Sequence, residues 1–455
     1  MAIPDFIGNL RNCPVRSLIR TNLALLTIVL MASIPIFWAP WDVTLISEDL
    51  ALPQTTQQFF LNLHSWNPIL NTGTPYNVAH TAIPLFAQQA GLQGLGLSPA
   101  ATQRIIMMIW MLFPGISIYV LIQTLFGSHI PTYRWKAAGT VAASFYMFNL
   151  YVEHAWRGFN IAVLSAQTAL PLILTLLYLG FTGRISIIRL ALLTIPVAIW
   201  SSGVGVNPPL VLVFLATIII FIVSYLLFSR NQSLFARIVP ISRTVSIVGV
   251  VSLLTNAFWI VPFLGQVQAT TSGELTTSSE LASTWLGGLS ANTSLPKVLR
   301  FQGDWTWYQG WNEPYRAYAQ IYEESAILIV FSWITPILTI LGLKGSKQRL
   351  RIFFAIITTI ALLLSMGIHT PMNNVYLWLV KNIPLFWIIR SPWFKFGLIT
   401  TLGFAVLSGL GAMNLANWLQ RFRHRSPPGL WAHRQSIALV AIIVVTINLV
   451  YAFPV

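Results

Sequence analysis

Two carboxylates stand side by side in "LISEDLALP", at Glu48 and Asp49, in a chain of 455 residues with only eleven acidic side chains. A carboxylate at a membrane surface is partly desolvated. Its pKa then rises toward the range in which it can take a proton from an alcohol. The pair is therefore a candidate general base for attack by a sugar hydroxyl. Ser47 and Asp49 would also suit a helix cap, which is the competing reading. A second candidate is Arg390, in "WIIRSPWFK". Its planar guanidinium suits bidentate recognition of a phosphate. It lies in an aromatic, proline-bounded segment, whereas Lys395 reads as a cation snorkelling at a span end. The third is "FQGDWTWYQGWNEPYRAYAQIYEES", residues 301–325. Asp304, Trp305, Trp307, Trp311 and Glu313 combine flat aromatic faces with carboxylates, which suits the C–H face and hydroxyl rim of a sugar. An aromatic belt at the bilayer interface is the alternative. His154 is a further candidate, beside Glu153 and near Arg157. The remaining histidines show no metal-ligand spacing. "GLQGLG", Gly91 to Gly96, reads as a loop because no strand precedes it.

The elements that must position these groups follow from composition. Apolar residues make up 56% of the chain and charged residues 8%, against roughly 25% charged in soluble domains. So apolar a chain cannot cover itself with polar surface, which predicts an all-α polytopic membrane bundle. Spans need about 20 apolar residues. Eleven are expected, at 21–39, 104–126, 136–152, 159–180, 186–201, 208–228, 242–263, 325–343, 350–367, 396–418 and 436–454. With a cytoplasmic N-terminus, the inner segments 11–20, 134–136, 184–189, 230–243, 344–351 and 421–434 hold 18 of the 26 basic residues. This positive-inside bias sets the orientation and accounts for the net charge of +15 without any nucleic-acid partner. All the acids except Asp5 then fall outside. The single cysteine, Cys13, has no disulfide partner, and the N-terminus does not read as a cleavable signal. The chain reads as one membrane domain, 1–455, with large outer loops at 40–103 and 266–324. The pieces "TTQQFFLNLHSW" and "AIPLFAQQAGLQGLG" of the first loop are expected as helices in the interface plane.

Together these features resemble the GT-C glycosyltransferases, polytopic enzymes that use lipid-phosphate sugars and carry an essential acid in the first outer loop. More closely, they resemble the membrane part of the arabinofuranosyltransferase D type. Four patterns carry the likeness: "SWNPILNTG", "TQRIIMMIW", "SGVGVNPP" and "RSPWFKF". Asn67 stands where the family's first pattern has Asp. The family's large sugar-binding portion has no counterpart before Val455, so the arabinose specificity is not carried over.

The resemblance implies an enzyme of the plasma (inner) membrane with an extracytoplasmic site involved in cell-wall biogenesis. It would move a sugar from a polyprenyl-phosphate donor to a glycan or lipid acceptor by inverting single displacement. Asp49, with Glu48, would act on the acceptor hydroxyl. Arg390, joined by Arg157, would hold the donor phosphate. Asp304, Trp305, Trp307, Trp311 and Glu313 would hold the acceptor. No cofactor is required, though Glu48 and Asp49 together could bind a divalent metal. A lipid-linked glycan flippase would place charges inside the spans, and the expected spans have none away from their ends. A non-catalytic scaffold subunit is the other rival.

Overall fold

The computed structural model describes residues 14–46, 55–64, 66–67, 74–75, 77–228, 234–270, 285–307, 318–423 and 430–452. Its helices in chain order begin with α1 Pro14–Ala32, α2 Thr56–Asn62, α3 Ile83–Gly94, α4 Pro99–Phe126, α5 Thr132–Met147 and α6 Leu150–Gly158. They continue with α7 Ile161–Phe181, α8 Ile187–Ser201, α9 Pro208–Phe228, α10 Leu234–Thr270 and α11 Leu295–Leu299. The rest are α12 Tyr318–Glu324, α13 Ala326–Leu341, α14 Gln348–Ser365, α15 Asn373–Asn382, α16 Pro392–Arg423 and α17 Leu430–Ala452. Among the described residues the sole strand pair is a two-residue antiparallel ladder, β1 Trp66–Asn67 with β2 Thr74–Pro75.

Each of the eleven expected spans overlaps a helix, but among the described residues eight helices are long and apolar enough to cross a bilayer: α4, α7, α8 with its 3₁₀ extension to Val206, α9, α10, α14, α16 and α17. A ninth arises if α12 and α13 count as one span bent by 80°. The expected span 136–152 is broken because the chain leaves helical geometry at Phe148 and Asn149. Asn149 then caps α6, accepting from the backbone N–H of Tyr151 at 3.0 Å and of Val152 at 3.1 Å. Side-chain caps recur at the span starts. Ser98 accepts from Ala101 N–H at 3.2 Å and Asn160 from Val163 N–H at 3.2 Å. Unpaired N–H groups are costly where water is scarce, and such caps satisfy them.

In the first long loop, α2 opens on a capping box between Thr55 and Gln58. The loop reading of "GLQGLG" is corrected. Gly91 and Gly94 lie inside α3, whose Leu85 and Ala90 are buried, and the chain turns only at Gly96, with φ of +90°. Burial of the α3 face outweighs the helix cost of two glycines, about 1 kcal/mol each.

α16 is the axis of the bundle: its apolar stretch is entirely enclosed by other helices. It packs on α5, α13, α14 and α17. By contrast α10 is 37 residues long and lies at the periphery, with Leu253, Leu254 and Val261 exposed. Close approach to α16 depends on a small residue: a Cβ at Gly411 would run into the Leu338 carbonyl oxygen of α13. Gly411→Ala should therefore destabilise the bundle by about 1–3 kcal/mol, the usual cost of overpacking. Thermal unfolding in detergent measures this. An unchanged midpoint would show that α13 can move away freely.

Candidate active site

α6 is a nine-residue helix that follows α5 in the chain and packs on α7 and α16. Leu150, Tyr151, Val152, Ala155 and Trp156 form its buried face. Phe159, in the left-handed conformation at φ of +50°, ends it. Glu153, His154 and Arg157 are left on the other face. Asp304 meets them from the loop after α11. His154 Nδ1 lies 2.8 Å from Asp304 Oδ2, and Arg157 Nη2 bonds the same oxygen. Arg157 Nε also pairs with Glu153 Oε1 at 2.8 Å. Tyr318, from α12, donates to the Glu153 carboxylate at 3.4 Å, and the Arg157 guanidinium lies 5.6 Å from its ring centre. The second Asp304 oxygen accepts the Thr306 N–H at 2.9 Å. Gly303 lets this loop press onto Trp393 of α16, whose ring leaves no room for a Cβ.

Burial alone would raise the Asp304 carboxyl pKa. The charge and hydrogen bond of His154, the Arg157 charge and the Thr306 N–H outweigh it and hold the carboxyl well below the usual range. Arg157 is raised in turn: burial opposes its charge, but Glu153 and Asp304 more than compensate. Asp304 is 2% exposed and both its oxygens are engaged. In this arrangement the carboxylate orients Arg157 and His154. His154 Nδ1 faces both Asp304 Oδ2, at 2.8 Å, and Arg157 Nη2, at 2.7 Å, so the cluster holds the ring through this one nitrogen.

A second polar group lies beside the first. The His154 ring packs edge-on against Phe394, with centroids 5.3 Å apart, and Lys395 Nζ lies 4.4 Å from the centre of the same Phe394 ring. The snorkelling reading of Lys395 is corrected. α16 starts at Pro392, four residues before the expected 396, so Lys395 is enclosed in its first turn at 6% exposure. It donates to Asn207 Oδ1 at 2.7 Å. This bond joins "SGVGVNPP" to "RSPWFKF" across 188 residues. Arg390 is exposed, its guanidinium 5.6 Å from the ring centre of Trp285. Among the described residues neither cation has a carboxylate partner.

A third device acts on the first loop. Gln103 holds the backbone of Leu45 at both ends, donating to its carbonyl at 2.7 Å and accepting from its N–H at 2.8 Å. Arg104 donates to the carbonyls of Ala39 at 3.1 Å and Val43 at 3.2 Å, and to that of Pro40. The "TQR" of α4 thus clamps the segment that runs into Glu48 and Asp49. Those two residues, with Trp311 and Glu313, lie outside the described residues. Trp305 is 46% exposed, whereas Trp307 is buried and stacked on Tyr322 with centroids 5.5 Å apart. Trp307 is therefore a packing residue here. Among the described residues no group of three or more histidine, cysteine or acidic side chains is placed to hold a metal.

The architecture is a polytopic bundle of apolar helices. No protein-family model matches the chain, and no curated protein does. Among solved structures the chain resembles arabinofuranosyltransferase AftD from Mycobacteria, with a TM-score of 0.56 and 17% identity. The match covers 95% of this chain and 28% of that one. The likeness is one of fold, and the chain spans little more than a quarter of that protein's length.

The Asp304 cluster carries a stability prediction. Removing one partner of a buried ion pair costs about 3–5 kcal/mol, so Asp304→Asn should lower the unfolding midpoint clearly. A carboxyl with a depressed folded pKa contributes stability that is complete above its unfolded pKa, about 3.9, and is lost as pH falls toward the folded value. The gap between wild type and Asp304→Asn should hence stay constant from about pH 5 to 8 and narrow only below about pH 4. A gap that already closes by pH 6 would contradict the strong pairing.

Proposed function

We propose that the chain is a membrane glycosyltransferase that takes a sugar from a polyprenyl-phosphate donor. One observation carries this reading: Lys395 is a buried cation with an amide for a partner and, among the described residues, no carboxylate. Burying a charge without a counter-charge is costly, and an uncompensated cation beside a second one favours an arriving anion. Arg390 lies five residues before it, close enough for the two charges to oppose each other. Arg157, by contrast, is already matched by two carboxylates. The donor phosphate is therefore assigned to Lys395 and Arg390.

Two further features support the reading. An apolar groove of about 310 Å³ runs between α9, α14 and the segment 384–389, and its lining includes Leu212, Ile357, Phe386, Ile389 and Phe396. It ends at the immediate sequence neighbours of Arg390 and Lys395, as a polyprenyl tail attached to a phosphate would require. The Gln103–Arg104 clamp fixes the approach to the acid pair. In the proposed reaction Asp49 takes the proton of the acceptor hydroxyl, that oxygen bonds to the anomeric carbon, and the bond from that carbon to the phosphate oxygen breaks. The lipid phosphate leaves with the electron pair, and the anomeric centre inverts. The acceptor is a glycan or lipid of the cell envelope, and the site faces the outer side of the plasma membrane, in keeping with the basic-residue bias.

Transfer from a polyprenyl-phosphate sugar in proteoliposomes tests the reading. Lys395→Met should lower turnover roughly 10²–10³-fold, the scale of losing one preorganised charge donor, with the unfolding midpoint held or raised. Asp49→Asn should lower it roughly 10²–10⁴-fold, as expected for a general base, while donor binding persists. Full activity in both variants would leave a scaffold role as the better account. The contact between His154 and the buried Asp304 carboxylate favours a second reading, with His154 as the base. In that case His154→Gln is inactive and Asp49→Asn remains active.

A further inference from the structure

The end of the bundle remote from Asp304 holds a second cavity, of about 520 Å³, between the C-terminal ends of α7 and α9 and the N-terminal end of α14. Its chemistry differs from that of the apolar groove. Phe221 and Phe353 form its floor, their ring centres 5.3 Å apart, and Tyr178 and Tyr225 form a wall. Arg184 and Lys347 stand at its mouth. The Arg184 guanidinium lies 5.8 Å from the centre of the Tyr178 ring, which turns it along the cavity wall. Lys347 is held at φ of +55°, where the chain turns into α14. The positive end of the α14 dipole adds to the same field.

Among the described residues no carboxylate at this end balances those charges. The described acids, Asp42, Glu153, Asp304, Glu323 and Glu324, all belong to the opposite end, and neither Arg184 nor Lys347 forms an ion pair among the described residues. Their fields converge: the nearby His129 ring is held below its usual pKa, first by desolvation and then by the charges of Lys347 and Arg184. An anion is the ligand that such a cavity lacks. Its aromatic floor continues into helices with exposed apolar side chains, among them Leu227 and Ile220. A ligand with a phosphate head and an acyl body matches both halves.

We infer that this cavity binds the phosphate of an anionic lipid headgroup, at a site separate from the proposed donor site. The combination of convergent cations, a tyrosine wall and an opening among membrane helices recognises phosphodiester charge, not a particular sugar or base.

Native mass spectrometry of the full chain tests this, with phosphatidylglycerol and phosphatidylcholine added in equal amounts. The wild type should retain phosphatidylglycerol preferentially. The double variant Arg184→Gln/Lys347→Asn should lose that preference roughly tenfold or more, as expected for two cations near a headgroup. Asn tolerates the positive φ at Lys347, and unchanged phosphatidylcholine retention reports an intact fold. Arg421→Gln, which removes a cation at the same end but outside the cavity, should keep the preference. Equal loss in Arg421→Gln and the double variant would mean diffuse attraction and overturn the site, as would an unaffected double variant. If inorganic phosphate alone displaces phosphatidylglycerol at millimolar concentration and stabilises only the wild type, the lipid assignment is overturned in favour of free phosphate.

Discussion

α16 is enclosed on every side, and that enclosure is the constraint from which the rest of the structure follows. A helix exposed to lipid can slide or rotate at little cost, but one surrounded by helices is fixed by every neighbour at once. Its first turn is therefore a rigid reference. Trp393 sets how closely Gly303 and Asp304 approach. The Phe394 ring bears on His154, and its backbone carbonyl accepts from Tyr151 at 3.0 Å. Lys395 reaches Asn207. Residues far apart in sequence are brought to one end of the bundle because each is packed or bonded to this turn.

Charge is distributed sparingly inside this frame, and its partners separate two kinds of role. Arg157 is matched inside its cluster by the carboxylates of Glu153 and Asp304. Arg104 spends its donors on backbone carbonyls and shapes a loop. Lys395 has, among the described residues, a neutral amide and the Phe394 ring. In a low-dielectric setting that difference matters more than distance does, because an unmatched cation continues to attract whatever anion can reach it.

The bundle was legible in the sequence because twenty-residue apolar runs admit few other interpretations. The break at Asn149 was harder to see, since apolar residues continue through Phe148 and Leu150 and only the capping residue marks the interruption. The start of α16 was misjudged although Pro392 suits a first helical turn, and that four-residue error alone turned Lys395 from an enclosed cation into a surface one. His154 and Arg157 were visible as neighbours on a short segment. Their tie to Asp304 spans 150 residues and has no local signature. Gln103 and Arg104 stood out only as part of a familiar pattern. Their hold on Leu45, Val43 and Ala39 depends on a loop crossing that periodicity does not encode.

The length of α10 has a consequence for the surrounding bilayer. Its membrane stretch, Phe235–Gly265, has 31 residues and lies mostly exposed at the periphery. At 1.5 Å per residue a straight helix of that length measures about 46 Å, against a hydrocarbon thickness of about 30 Å. Part of the excess is the first turns, where Arg237 and Arg243 belong to the inner side, and the rest is taken up by tilt, by bending at Pro240 or Pro262, or by local thickening of the membrane. α10 packs on α8 and on the 3₁₀ turn 77–82 that follows the first-loop ladder. A change in membrane thickness would therefore act as a mechanical load on that loop, and the conformation of its outer face would depend on the lipids in which the protein resides.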